Sequence, residues 1–424
     1  MPNSTAHRLA SFAENLLGGQ LPVGLRTWDG TRAGPVDAPT VVLRNRRALR
    51  RLLYSPGELG LARAYVTGDL DVEGDLADGF RRIWALTRSG ELNRVKLGPR
   101  DWAEAAKLAA RLGVAGPPPK PPAEEARLTG KLHSLLRDKS AIAHHYDLGN
   151  AFYQLLLDES MAYSSAYFTS DEPGYGLAEA QSDKLEMICR KLGLRPGMRL
   201  LDIGCGWGSL LVHAAKHHGV HAVGITLSAE QLQHIRGRLA QHDLEDRVEV
   251  RRQDYRELPD APFDAVASIE MGEHVGEVNY PAYAATLHRM VRPGGRVLIQ
   301  QMSRGNVAPG GGAFIERYIA PDMTMRPVGR TVEHLENAGL EVRDVHAMRE
   351  HYVWTVRAWA DTLEENWADV VALIGETGAR VWRLYLVGGA LAFEENRMGV
   401  DQILSVRPDE HGDSGMPATR EWLR

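Results

Sequence analysis

The sequence predicts a doubly wound α/β fold preceded by a smaller, mostly helical N-terminal domain. Three observations support this prediction. Apolar strand patterns alternate with helical patterns between residues 178 and 301, a glycine-rich turn follows the first of these strands, and a proline-rich segment precedes the whole region. Strands that alternate with helices form parallel sheets with helices on both faces.

Residues 1–112 form the predicted N-terminal domain, with glycine and proline breaks near 18–24 and 29–39. This part carries 17 basic and 12 acidic residues, whereas the rest of the chain carries 33 and 43. Five arginines lie between residues 44 and 51. Such a patch can bind an anionic membrane surface or a nucleic acid, or it can simply be a solvated helix face. No known nucleic-acid-binding motif is present, so no nucleic-acid partner is expected.

Residues 113–125 are rich in proline and are predicted to be a semi-rigid linker at the domain boundary. Helices are predicted at 178–193, 208–218, 228–241 and 280–291, and strands at 198–203, 220–225, 247–251, 263–269 and 295–301. An irregular lid is expected near 302–330, helical patterns return at 355–375 and 378–398, and a polar tail covers 407–424.

The composition narrows the class of protein. The 424 residues are 44% hydrophobic and 25% charged, as in ordinary globular proteins. No apolar run reaches 18 residues, so no transmembrane helix is expected, and the N-terminus lacks the apolar core of a signal peptide. Only Cys189 and Cys205 are present, which fits a reducing compartment. These features predict a cytoplasmic protein.

The glycine-rich turn is the most informative motif. The apolar run 199–203 leads directly into Gly204, Gly206 and Gly208. Glycines permit positive φ and close approach to a ligand, and the helix that follows offers free N–H groups. The third glycine comes one residue earlier than in the dinucleotide fingerprint, and Asp202 precedes the first. An acidic neighbour suits the amino acid and sulfonium of S-adenosylmethionine (SAM) better than a pyrophosphate. A glycine-rich turn without a ligand is the alternative.

Ligands of such sheets bind at the carboxyl ends of the strands. These ends are predicted at Asp202–Gly208, Thr226, Gln253–Tyr255, Glu270–Glu273 and Gln300–Met302.

Several blocks resemble, in the same order, the cyclopropane-fatty-acyl-phospholipid synthase family. They are His145–Asn150, Met161–Phe168, the glycine turn, Thr226–Gln231 and Glu273–Gly276. The resemblance covers residues 130–400 well and the N-terminal part more loosely. It implies a class I SAM methyltransferase domain over residues 126–406 that methylates the double bond of unsaturated acyl chains in membrane phospholipids. It also implies a homo-oligomer.

The resemblance further implies a set of SAM-binding residues. They are Tyr163, Ser164, Asp202, Gly204, Cys205, Gly206, Trp207, Thr226, Leu227, Gln231, Gln253, Asp254 and Tyr255. Thr226 stands where many SAM enzymes have an acidic residue for the ribose. For Asp254, a cap or turn role is the alternative.

The base set departs from the family pattern. Cyclopropane-forming members hold bicarbonate as the base with a Cys, a Glu, a His and a Tyr. The Glu and Tyr match Glu273 and Tyr352, but Ser165 replaces the Cys and Gln300 replaces the His. Two of the four ligands are changed, which puts bicarbonate as a cofactor in question.

Glu270 is a new carboxylate at the predicted end of the fourth strand, where relatives usually have a small residue. Our hypothesis is that Glu270 supplies the proton-accepting carboxylate that bicarbonate supplies elsewhere. Carboxylates three residues apart, here Glu270 and Glu273, disfavour double ionisation in a dry cleft, which brings one pKa nearer the range of a base. The alternative is that Glu270 caps a helix or pairs with an arginine.

An alkene is a weak nucleophile, so the enzyme must position it against the methyl donor in a dry, apolar site. Methyl transfer leaves a carbocation, which each aromatic face stabilises by about 0.5–2 kcal/mol. Candidates, each of which could instead pack in the core, are Tyr163, Tyr167, Phe168, Tyr318 and Tyr352.

Proton loss with ring closure gives a cyclopropane, and loss without closure gives a methylene branch that a partner reductase can saturate. The altered base set favours a 10-methylene product. The basic N-terminal domain is expected to dock on anionic lipid at the inner face of the membrane. Two alternatives are a small-molecule N- or O-methyltransferase and an inactive lipid-binding homologue.

Overall fold

The computed structural model describes residues 4–88, 98–126, 130, 132–134, 137, 148–259, 262–305 and 312–420. Contacts divide the chain into two compact units. The first comprises Met1–Glu125, Gly311–Tyr318 and Ile374–Leu391, and the second comprises Ala126–Gly310, Ile319–Leu373 and Ala392–Arg424. The expected catalytic domain, 126–406, therefore includes two segments that pack with the N-terminal residues. The expected linker, 113–125, lies within the first unit.

The first unit is mostly helical, as predicted, and it also contains a small sheet that was not predicted. Its elements are α1 (Thr5–Leu17), β1 (Gly24–Arg26), β2 (Arg32–Ala33), β3 (Thr40–Leu43), α2 (Arg46–Tyr54), α3 (Glu58–Val66), β4 (Leu70–Glu73), α4 (Leu76–Arg88) and α5 (Pro99–Arg111). The strand order is β2-β1-β3-β4. Strands of two to four residues are too short to show an alternating pattern in the sequence.

The five arginines of the basic cluster have partners inside this unit. The buried carboxylate of Asp69 accepts from Arg47 Nε at 3.0 Å and from Arg51 Nε at 2.9 Å. Arg50 Nε donates to the Val114 carbonyl at 3.0 Å, which ties the proline-rich segment to α2. The partners of the other two arginines are the Asp71 carboxylate for Arg44 and the Trp28 ring for Arg46. Much of the cluster's charge is thus engaged within the fold.

The second unit carries the predicted doubly wound α/β architecture. Its elements are α6 (Asn150–Leu156), α7 (Leu177–Leu192), β5 (Arg199–Ile203), α8 (Ser209–His218), β6 (His221–Thr226), α9 (Ala229–Gln241), β7 (Val248–Arg252), β8 (Phe263–Ile269), α10 (Tyr280–Met290), β9 (Val291–Ser303), α11 (Val328–Asn337), β10 (Glu341–Ala347), α12 (Arg349–Glu365) and β11 (Gly399–Val406). Between α12 and β11 runs α13 (Trp367–Glu394), which is kinked at Gly375. The five predicted strands form within a few residues of their expected bounds.

The seven strands are ordered β10-β11-β9-β8-β5-β6-β7, and only β11 runs antiparallel to its neighbours. Side chains along each central strand alternate between two apolar layers. Leu200 and Ala265 belong to one layer, whereas Leu201 and Val266 belong to the other. Because both faces are covered by helices, these strands read as continuous apolar runs in the sequence.

The sheet order fixes where a ligand can bind. The chain leaves β5 toward β6 on one side, and β8 pairs with β5 on the other side. Such a topological switch point opens a crevice beyond the carboxyl ends of the two strands. The glycine turn follows β5 and Glu270 follows β8, so the two most informative sequence features meet there.

Four elements of this unit were not predicted: α6, α11, β10 and β11. The sequence of β10 is largely polar, because this strand lies at the edge of the sheet. In the expected lid, β9 extends to Ser303 and a helical turn covers 312–319, while residues 306–311 lie outside the described part. The same holds for residues 145–147 of the first resembling block. No helix within the described ranges is long and apolar enough to cross a membrane.

Candidate active site

A cleft of about 1270 Å³, measured out to its open mouth, lies at the carboxyl edge of β5, β6, β7 and β8. All thirteen residues that the resemblance implies as SAM ligands line this cleft, and so does Glu270. They come from four loops and from the 161–168 block. The sheet brings them together because parallel strands end at the same edge.

The glycine turn forms the floor of the cleft. Gly204, Gly206 and Gly208 have φ values of 82°, 53° and 82°, in the left-handed region that favours glycine. The Gly204 and Cys205 N–H groups both donate to the Ile225 carbonyl at 3.0 Å, which holds the turn against β6. Among the described residues, no atom lies within 4 Å of a Cβ built on Gly206, so this position leaves room for a ligand.

Asp202 places a buried carboxyl group beside the turn. Its Oδ1 atom has no hydrogen-bond partner among the described residues, and burial raises its pKa to about 7. Buried polar atoms are almost always satisfied in folded proteins. An unsatisfied carboxylate oxygen on a residue lining a cleft is therefore a place for a ligand's ammonium or hydroxyl group.

Lys184 is a site residue that the sequence analysis missed. It lies on α7, is 1% exposed, lines the cleft and donates from Nζ to Ser164 Oγ at 2.8 Å. Burial lowers its pKa to about 8, although the nearby carboxylates of Glu270, Asp158 and Asp202 oppose this shift. A lysine within a helical pattern is usually a surface residue, so nothing in the sequence indicates its burial.

The far side of the cleft is built from β6 and β7. Thr226 Oγ1 donates to Gln231 Oε1 at 2.6 Å, and both residues are buried. Asp254 accepts from the Arg256 backbone N–H at 2.9 Å and from its guanidinium at 2.8 Å. These hydrogen bonds are those of a turn cap, the alternative role expected for Asp254. The residue also lines the cleft.

Three of the five expected catalytic residues, Ser165, Gln300 and Tyr352, bind another of them, Glu270. The Ser165 backbone N–H and the Gln300 side-chain amide each donate to Glu270 Oε1 at 2.8 Å. The Tyr352 hydroxyl donates to Glu270 Oε2 at 2.6 Å. None of these partners is an arginine, so the contacts of Glu270 do not support the alternative in which it pairs with an arginine. Apart from Glu273, the residues that the resemblance implies as the bicarbonate set here bind a carboxylate of the chain.

The backbone and a neighbouring amide orient this group. Glu270 has a φ of 51°, a strained conformation for a residue other than glycine. Gln402 Nε2 donates to Gln300 Oε1 at 2.9 Å, so the Gln300 amide directs its NH₂ group toward Glu270. Burial raises the pKa of Glu270, and the hydrogen bonds from Tyr352, Ser165 and Gln300 limit that rise.

Glu273 lies deeper and does not line the cleft. Its side chain is fully buried, Oε1 accepts from the Met302 N–H, and Oε2 has no partner among the described residues. Burial and the neighbouring Glu270 carboxylate raise its pKa to about 8. With a pKa of about 8, Glu273 is mostly protonated at neutral pH, and a neutral Glu273 places no like charge against ionisation of Glu270.

We expect Glu273 to lower stability as the pH rises. Its folded-state pKa of about 8 lies above the ordinary value of 4.5, so its stabilising contribution is complete below pH 4.5 and is lost as the pH rises through 8. The free energy of unfolding then falls by at most about 1.4 kcal/mol per pH unit for one proton. The melting temperature of the wild type minus that of Glu273→Gln should fall between pH 5 and 8 and level off above. Parallel curves for the two proteins would contradict this assignment.

The aromatic candidates divide into two groups. Tyr163 lines the cleft with its ring 5.2 Å from that of Trp359, and Tyr352 binds Glu270. The other three do not line the cleft, and packing describes them better: Tyr167 against His351, Phe168 against Trp354, and Tyr318, in the first unit, donating to Glu125 at 2.9 Å.

A sequence profile of the family described as mycolic acid cyclopropane synthetase matches residues 133–403. The chain belongs to this family of SAM-dependent methyltransferases. A protein of Mycobacterium tuberculosis named a probable fatty acid methyltransferase is 38% identical over 415 residues, which cover 95% of each chain. The cyclopropane-fatty-acyl-phospholipid synthase of Escherichia coli is 35% identical over 268 residues, covering 63% of this chain and 68% of that one.

Solved structures agree with this membership. A mycolic acid cyclopropane synthase complexed with SAH and CTAB superposes with a TM-score of 0.59 at 29% identity, covering 63% of this chain and 97% of that one. This cyclopropane synthase family member is therefore a methyltransferase that modifies lipids, with SAM as its cofactor. The cleft fits that cofactor, because it offers an unsatisfied buried carboxylate oxygen at Asp202 and open space at Gly206.

Proposed function

We propose that this enzyme transfers the methyl group of SAM to the double bond of an unsaturated acyl chain in a membrane phospholipid, giving a 10-methylene-branched chain. The observation that carries the proposal is the Glu270 carboxylate, bound by Ser165, Gln300 and Tyr352 at the edge of the cleft. The phospholipid substrate is supported by the name of the Escherichia coli relative.

SAM, when bound, supplies an electrophilic methyl group on a sulfonium. Asp202 offers its unsatisfied oxygen to the amino-acid part, and the turn from Gly204 to Gly208 lets the backbone come close. The remaining proposed SAM contacts are the side chains that line the cleft beyond the turn: Tyr163, Ser164, Thr226, Leu227, Gln231, Gln253, Asp254 and Tyr255.

The π electrons of the alkene form the new carbon–carbon bond while the bond between the methyl carbon and the sulfonium sulfur breaks, with its electron pair left on sulfur, and a positive charge develops on the neighbouring alkene carbon. Tyr163 presents an aromatic ring at the cleft that stabilises this charge. A hydride then shifts to that carbon, which moves the charge to the carbon that bears the new methyl group. Glu270 accepts a proton from this methyl group, and the electrons of the broken C–H bond form the carbon–carbon double bond of the methylene branch. The hydrogen bonds from Tyr352, Ser165 and Gln300 favour the ionised form of Glu270, the form that this role requires.

The product structure tests the proposal. Purified enzyme is incubated with SAM and vesicles of dioleoyl phosphatidylglycerol, and the extracted lipid is examined by proton NMR. We expect vinylidene protons, because the base differs from that of the cyclopropane-forming relatives. High-field cyclopropane protons would instead show that the product is a cyclopropane. The retained Glu273 and Tyr352 favour this second outcome. Absence of any modified lipid would overturn both.

Bicarbonate should not be required. The donors that would bind it already bind Glu270, at 2.6 to 2.8 Å, so no vacant site for the ion is left on them. We expect the rate in carbonate-free buffer under argon to stay within about twofold of the rate with added bicarbonate, since the base is part of the chain. A rate that collapses on bicarbonate removal and returns on its addition would show that the ion remains the base.

We also propose that the enzyme attaches peripherally to anionic membranes, where its substrate lies, and that a partner reductase saturates the methylene product. Because the arginines of the 44–51 cluster have internal partners, the attachment depends less on this cluster than its charge indicates. Vesicle sedimentation at low and high salt measures the electrostatic part of the binding.

A further inference from the structure

A second cluster of ligating side chains lies outside the cleft, between α7 and α8. Glu186 and Cys189 are three residues apart on α7, and His213 and His218 lie on α8. The Cys189 sulfur and one ring nitrogen of each histidine all lie within 4.8 Å of one another. None of the four residues lines the SAM cleft.

The two imidazoles already converge on one point. His218 Nε2 lies 2.9 Å and His213 Nε2 lies 3.3 Å from the same atom, Glu186 Oε2. Arg190 Nε donates to the other oxygen of this carboxylate at 2.8 Å and fixes its orientation. The cysteine and the two histidines therefore form a close group of three, a carboxylate lies beside both imidazoles, and an arginine holds that carboxylate from outside.

The donor set and its exposure fit a transition metal. One thiolate, two imidazoles and a carboxylate are ligands that Zn²⁺ accepts in tetrahedral geometry. With Zn–S of about 2.3 Å and Zn–N of about 2.0–2.1 Å, such ligands lie roughly 3.3–3.6 Å apart, so modest side-chain rotation closes the cluster. Cys189 is fully buried, whereas His213 and His218 are partly exposed, so an ion can enter from the solvent side.

We propose that Glu186, Cys189, His213 and His218 form a structural Zn²⁺ site. On binding, the metal replaces the thiol proton of Cys189: a sulfur–zinc bond forms and the proton leaves to solvent. The site ties α7, which carries Lys184, to α8, which begins directly after the glycine turn. Zinc thus fastens together two helices that flank the SAM cleft. The site does not depend on the acyl substrate or on the product proposed above.

The test uses the full-length chain, stripped with EDTA and titrated with ZnCl₂ by calorimetry. We expect one Zn²⁺ per chain and a higher melting temperature at saturation. Cys189→Ala and His218→Ala should each weaken binding by about 100-fold or more and abolish the rise in melting temperature. With Co²⁺ as a spectroscopic probe, a sulfur-to-metal charge-transfer band should appear in the wild type and be absent in Cys189→Ala.

His217 provides the matched control. It is exposed, it directly precedes His218, and His217→Ala should leave the affinity unchanged. Replacement of the buried Cys189 can prevent folding. In that case the partly exposed His218 still provides a test through His218→Ala. The proposal is overturned if the stripped wild type binds no stoichiometric zinc, if the Co²⁺ complex lacks the sulfur band, or if His217→Ala weakens binding as much as His218→Ala. The last outcome would indicate that zinc binds to a pair of histidines at the surface and not to the proposed site.

Discussion

Glu270→Gln is expected to reduce methyl incorporation into unsaturated phospholipid by about 10²–10⁴-fold, the usual contribution of a general base. The amide has nearly the shape of the carboxylate and can still accept from Ser165 and Gln300, but it cannot take up a proton. The binding of SAH should therefore be unchanged. Incorporation is measured with labelled SAM and lipid extraction, and binding by calorimetry.

The control for this variant is Glu249→Gln. Glu249 is an exposed residue on β7 whose ion pair with Arg251 lies at the surface. The Glu249→Gln variant should therefore be as active as the wild type. Undiminished incorporation by Glu270→Gln would exclude Glu270 as the base.

Removal of the side chain offers a sharper comparison. Glu270→Ala exposes the donors of Ser165, Gln300 and Tyr352, which correspond to the bicarbonate-binding positions of the resembling family. Added bicarbonate should then restore part of the activity in a saturable way, whereas chloride at the same ionic strength should not. Equal responses to the two anions would argue that the three donors do not form an anion site.

Gly204→Ala is expected to weaken SAH binding by about 10–100-fold and to destabilise the second unit. The φ of 82° costs an alanine about 1–2 kcal/mol. Its Cβ would also lie 2.7 Å from Met271 Cγ, and such overpacking costs about 1–3 kcal/mol. Met271 follows Glu270, so the displacement reaches both the cofactor turn and the base. Calorimetry with SAH and thermal unfolding measure the two effects.

Gly197→Ala separates backbone strain from the effect on the site. Gly197 has a nearly identical φ of 81°, but nothing lies within 4 Å of its Cβ, and it precedes β5 instead of following it. This variant should lose stability and keep its affinity for SAH. If both alanine variants bind SAH equally, the turn after β5 does not contribute to the cofactor site in the way proposed.

Glu270 places a fixed carboxylate among donors that the family resemblance implies as a bicarbonate set. Its hydrogen bonds come from a backbone N–H, an amide and a hydroxyl, and its strained backbone places it at the end of β8. Such strain persists only where the surrounding structure holds it in place, and it is frequent at functional sites. The neighbouring Glu273, with its raised pKa, carries the proton that keeps the pair from double ionisation.

The alternating strands and helices, the glycine turn and the strand ends at which a ligand binds could be predicted from the sequence alone, because each of these signals is local, whereas the thirteen residues that line the cleft were implied by the family resemblance. Apolar period, glycine spacing and the ends of parallel strands are all visible in short windows of residues. The short strands of the first unit and the polar edge strand β10 were missed, since neither length nor polarity marked them.

Which side chains come into contact and which are buried depends on the assembled fold. Ser165 and Tyr352 are 105 and 82 residues from Glu270, yet both bind its carboxylate. Lys184 and Cys189 lie within an ordinary helical pattern, and only the packing of α7 buries them. Burial is a property of the assembled layers, and it sets the protonation of Glu273 and the convergence of α7 with α8. No window of sequence contains that information, because the groups responsible come from strands and helices far apart in the chain.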